Sequence, residues 1–120
     1  MLVGRAAAQS DQDAVHKAIT ENPTVTSIVR STVTQFGTDS VRVHADVDFN
    51  GAVIVDMHLA TRDFDELHRR AQDPAEFRKV LGEVGEAVVK EVGNEVDKLE
   101  VRIREVVDNV HDIYIEPHLP

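Results

Sequence analysis

A chain of 120 residues buries roughly two thirds of the surface its unfolded form exposes, enough for one domain core and too little for two. Hydrophobic residues make up 42% of it but aromatic residues only 4%, so the core must be built from Val, Ile, Leu and Ala; without Cys there are no disulfides, thiolate metal sites or cysteine nucleophiles. The net charge of -9, from 22 acidic and 13 basic residues, has the wrong sign for a nucleic-acid partner or an anionic membrane surface and the right sign for concentrating cations.

No stretch approaches the roughly 20 apolar residues that span a bilayer, and the first residues lack the apolar core of a signal peptide. Residues 1–9, MLVGRAAAQ, show no partner pattern and read as a linker. Ser10, with Asp13 three positions on, nearly forms a capping box, and Ala14, Val15, Ala18 and Ile19 then share one helical face. Asn22-Pro23 ends that helix. The segment from Thr24 to Phe36 is dense in Val, Ile and Thr and predicts a strand.

Gly37 to Ser40 make a turn. Next, Val41, Val43, Ala45, Val47 and Phe49 alternate strictly with Arg42, His44, Asp46, Asp48 and Asn50, which predicts a strand with one apolar and one polar face. Asn50-Gly51 is a strong turn dipeptide, so residues 52–57 are expected to return as a short third strand. Thr61 can cap a short helix that carries Phe64 and Leu67. Asp73-Pro74-Ala75-Glu76 is a well-formed start for a long helix, along which apolar residues recur every three or four positions to about Val107. Gly82, Gly85 and Gly93 weaken that helix by roughly 1 kcal/mol each relative to Ala, which points to a break or a close contact there. Asp112 to Glu116 form a closing strand. This order predicts an α+β ferredoxin-like two-layer sandwich, with helices on one sheet face and His44, Asp46 and Asp48 on the other.

Four segments taken in order, LVGRAA, VRVHADVDFNG, NEVDKLEVRIREVV and VHDIYIEPH, resemble the soluble tail of cation diffusion facilitator transporters over nearly the whole chain. The region between residues 51 and 92, with DFDEL, PAEF and LGEVGEAVVKEVGNEVDKLE, is most similar to the zinc transporter nine subfamily. The resemblance implies a linker from a membrane domain at 1–9, a C-terminal cytoplasmic domain at 10–117 with a helical insert at about 58–92, and a tail at 118–120. It implies a homodimer lying below a proton-coupled divalent-metal antiporter whose transport site is in the membrane part, and no enzyme activity. Two readings from other classes stand beside it: a free-standing metal sensor or chaperone, and a passive oligomerisation module without a ligand.

His and carboxylate side chains are suitable ligands for Zn²⁺ or another divalent metal when three or four converge. By the resemblance, His44 matches the family's strand histidine and Glu116 an acidic position before the final proline. Asp46 lies two residues along the same face as His44, and His118 follows Glu116-Pro117, so these four are the candidate ligands. Other ligand positions of the family hold Val29, Gly93 and Tyr114 here. The alternative is that His44, Asp46 and Asp48 are simply a solvated strand face. His16, His58, His68 and His111 read as surface residues. Nucleophilic catalysis has no support, since no Gly-x-Ser-x-Gly or comparable constellation is present.

Overall fold

The computed structural model describes residues 5–118; the first four residues of the expected linker and the last two of the expected tail lie outside them. In chain order the elements are β1 (Arg5–Ala6), α1 (Gln9–Thr20), β2 (Val25–Phe36), β3 (Ser40–Phe49), α2 (Gly51–Leu59), α3 (Phe64–Arg70), α4 (Pro74–Val106) and β4 (Val110–Pro117). The chain divides into two compact units: one contains the residues up to Phe49 together with those from Glu95 onward, the other Asn50–Asn94.

The first unit is a four-stranded sheet in the order β1-β2-β3-β4. Alternation along β3 acts as expected: Val43, Ala45 and Val47 are fully buried, and the residues between them face outward. The apolar face packs with Val15, Ala18 and Ile19 of α1, Leu99 and Ile103 of α4, and Ile115 of β4 in one cluster. At roughly 25 cal/mol per Å² of apolar surface, each such Val, Leu or Ile side chain contributes on the order of 1.5–3 kcal/mol. The fold is α+β, and its β-α-β-β-α-β course, with α2 and α3 set aside, is consistent with a ferredoxin-like sandwich. It differs in strand order, which follows the chain, and in the pairing of β3 with β4, which is parallel where the other two ladders are antiparallel. A parallel pair requires a crossover of a dozen or more residues, and α2 through α4 supply it.

Five local expectations are corrected. Residues 5–6 form a strand rather than a featureless linker, pairing Arg5 with Gln35 and Ala6 with Thr34. With Ala7 buried and its N–H donated to the Val33 carbonyl, α1 must begin at once, so Ala8 occupies the cap position with no side-chain bond and Ser10 falls inside the helix. The predicted third strand at 52–57 is helix α2. Asn50 caps it, its Oδ1 accepting from the Val53 N–H at 3.2 Å; Asn serves a helix cap as well as a turn. Both edges of β3 are already taken by β2 and β4, so a returning strand has no ladder to join. Asp63 rather than Thr61 caps α3, accepting from the Glu66 N–H, while the Thr61 hydroxyl donates to the His58 carbonyl at the end of α2. Finally, α4 runs unbroken through its three glycines, and a Cβ added at Gly82, Gly85 or Gly93 would meet nothing within 4 Å. Its start is as expected, with Asp73 Oδ2 accepting from the Glu76 N–H at 3.1 Å.

In the second unit Ile54, Leu67 and Val80 are buried. Exposed apolar side chains are more numerous there, among them Phe64, Phe77, Leu81 and Val89.

Candidate metal centre

His44 and Asp46 are two residues apart on β3, so the pleat points both to the face away from the core. The parallel ladder sets His44 beside Tyr114 and Asp46 beside Glu116. That register brings a third donor, from a residue 70 positions away in the chain, onto the pair. His44 Nε2 lies 3.6 Å from Asp46 Oδ1 and 3.7 Å from Glu116 Oε2. One donor atom from each of the three residues falls within 4.8 Å of the others.

The state of the imidazole nitrogen is the notable feature. The His44 side chain is 44% exposed and that of Glu116 63%, yet the Nε2 atom itself is buried and has no hydrogen-bond partner. Both carboxylate oxygens are beyond hydrogen-bonding reach. An unsatisfied buried polar atom costs about 1–3 kcal/mol. Ligands bound at about 2.0–2.2 Å in a tetrahedron around Zn²⁺ stand roughly 3.3–3.6 Å apart. The imidazole nitrogen's separations of 3.6 and 3.7 Å from the two carboxylate oxygens are close to that spacing, the three donors lie within 4.8 Å of one another, and one nitrogen with two carboxylate oxygens is a donor set that first-row divalent cations accept. Three protein donors leave further coordination positions open to water or another ligand.

The surroundings are polar but engaged. Arg42 donates from Nε to Asp112 Oδ2 at 3.1 Å and places its guanidinium 4.5 Å from the centre of the Phe36 ring. Asp48, expected on this face, accepts from the Ser27 hydroxyl at 3.4 Å and stays outside the three-donor group. Tyr114 meets His44 edge to face, with ring centres 6.3 Å apart. His118 is not brought in either: its backbone N–H donates to the Val47 carbonyl at 2.8 Å, and its side chain is outside the group. The remaining histidines join no group of three potential ligands among the described residues; His58 lies 3.4 Å from Arg62 Nη1, and His68 stacks on Phe64. What sequence reasoning could not supply was the β3–β4 register, which alone brings Glu116 beside Asp46.

The chain is 31% identical over 125 residues to metal tolerance protein C4 of Arabidopsis thaliana, a match covering 99% of this chain and 27% of that protein. It is 28% identical over 118 residues to the human mitochondrial proton-coupled zinc antiporter SLC30A9, covering 96% of this chain and 21% of that protein. The Xenopus laevis antiporter of the same name is 25% identical over the same length. The chain thus spans between about a fifth and just over a quarter of the length of these curated relatives. No family model and no solved structure matches. These relatives are cation diffusion facilitators, and the chain is homologous to them over nearly its whole length. Among the described residues no helix is long and apolar enough to cross a membrane.

Proposed function

We propose that this chain is the C-terminal, cytoplasm-facing domain of a divalent-metal efflux transporter that handles zinc, coupled to proton antiport in the whole protein. In this reading residues 1–9 lead from the membrane part, 10–117 form the domain with an insert at about 58–92, and 118–120 are a tail. Two copies pair as a homodimer. Binding of Zn²⁺ or a similar cation by His44, Asp46 and Glu116 biases their arrangement and with it transport; the role is regulatory binding rather than catalysis.

The observation that carries the reading is the convergence of these three donors around a buried, partnerless imidazole nitrogen, in a chain similar to a protein named as a proton-coupled zinc antiporter. A metal shifts the dimer only to the extent that it binds one arrangement better than the other. Calorimetric titration with Zn²⁺, combined with small-angle scattering, is expected to show one metal per chain and a more compact dimer. His44→Ala is expected to abolish both. Absence of heat with the unaltered protein would remove the metal from the reading and leave a passive pairing module, for which His44→Ala changes neither dimerisation nor transport by the full-length protein.

A further inference from the structure

The three donors come from two strands of different security. His44 and Asp46 belong to β3, flanked by β2 and β4 and backed by the buried Val43, Ala45 and Val47. Glu116 belongs to β4, which among the described residues is an edge strand paired along one side only, in a parallel ladder, with Ile115 its one buried residue. The first half of β4 is tied down: Arg104 Nη1 donates to the Val110 carbonyl at 2.7 Å, and Asp112 pairs with Arg42. In the second half, Asp46 and Glu116 are direct register partners. Like charges placed opposite each other across a ladder destabilise it. Arg30 is the register partner of Asp46 on the β2 side, and the His118 N–H bond to Val47 is the tie beyond the pair.

Building on the reading of His44, Asp46 and Glu116 as a metal site, we propose that the bound cation is a clamp on the edge strand. Without metal, the opposed carboxylates loosen the segment from Ile113 to Pro117. With metal, the same two groups become ligands of one centre, and the repulsion turns into a cross-link between β3 and β4. The site is complete only when β4 is docked in register, because a slip of one residue would turn Glu116 to the other face. The cation therefore binds the docked strand better than the loosened one, which is the differential affinity a ligand needs in order to shift a conformational equilibrium. Metal concentration is thereby read out as local order in one strand, a form of sub-global opening that edge elements support.

Amide-resolved hydrogen exchange on the full chain, chelator-treated and then with Zn²⁺, tests the clamp. The amides of Tyr114 and Glu116, which by strand alternation face β3 as the His118 N–H does, are expected to exchange up to about a hundredfold more slowly at free metal a hundred times the Kd, while those in the middle of α1 change little. Glu116→Gln removes the repulsion and a ligand together. It should protect the metal-free strand better than the unaltered protein and abolish the response to Zn²⁺. Calorimetric binding without added protection of β4 would overturn the clamp and leave the metal site standing. No binding at all would overturn both. Weaker metal-free protection in Glu116→Gln would show that Glu116 supports the strand and would refute the repulsion on which the clamp depends.

Discussion

Replacing Asn22 by Ala should be among the most damaging changes to the first unit. Asn22 follows α1 and works in two directions at once. Its Oδ1 accepts from the Thr24 N–H at 2.9 Å and from the Thr24 hydroxyl at 2.7 Å. Its Nδ2 donates to Glu95 Oε2 at 2.8 Å, across 73 residues of chain. Thr24 is fully buried and Glu95 only 3% exposed, so water cannot readily replace the lost partner. A hydrogen bond to a charged group is worth about 1.5–3 kcal/mol and a neutral one about 1 kcal/mol. Losing one of the first kind and two of the second gives roughly 3–5 kcal/mol, against a typical total stability of about 5–15 kcal/mol. Lys98, 3.0 Å from Glu95 Oε1, remains to hold the carboxylate and keeps the loss toward the lower end. The chain has no Trp and one Tyr, so urea unfolding is best followed by far-UV circular dichroism, with the m-value checked for constancy. Asn22→Asp is the control: it keeps the acceptor for Thr24 but sets a second carboxylate against Glu95, and should lose at least as much at neutral pH. A loss below about 1 kcal/mol for Asn22→Ala would refute the claim that this cluster ties α4 to the start of β2.

Other changes test single steps of the fold. Gly85→Ala in α4 should raise stability by about 0.5–1 kcal/mol, since the site is helical and open, and a lower melting temperature would mean that the glycine meets a partner. Asn50→Ala should cost about 0.5–2 kcal/mol through the lost cap on α2, with Asn50→Asp recovering most of it in the same denaturation assay; indifference to both would deny Asn50 its capping role. Hydrogen bonds and attraction from Lys79, and then from Arg70, hold the Glu76 carboxyl below the ordinary glutamate range. Its contribution to stability is therefore present above the unfolded-state pKa and lost as pH falls through the lower, folded one. An NMR titration should place its midpoint below that of an exposed glutamate, and Glu76→Gln should flatten the acid limb of stability against pH; an ordinary midpoint would remove this network from the account of the helix start.

Much of the organisation was legible in the residues themselves, because it depends on local physics. Strict alternation from Val41 to Phe49 can bury only one face of a strand, so the outward placement of His44 and Asp46 followed from spacing alone. Asp73-Pro74 announced α4, since an acceptor at the cap and a fixed φ at the first helical position satisfy that terminus without outside help. The resemblance to a transporter family was likewise present in the order of four short segments and is matched by the relatives.

Tertiary pairing decided the rest, and it did so where two local solutions were close in free energy. Asn50-Gly51 serves a hairpin or a helix cap equally well, and the choice fell to α2 because β3 had no free edge left. Arg5 and Ala6 carry no strand signal of their own and became β1 because the outer edge of β2 was available. The meeting of Asp46 with Glu116 depends on the register of a parallel ladder closed by a crossover that includes the 33-residue helix α4. No periodicity within either strand encodes that register: alternation says which way a side chain points, and only the packed sheet says what it points beside.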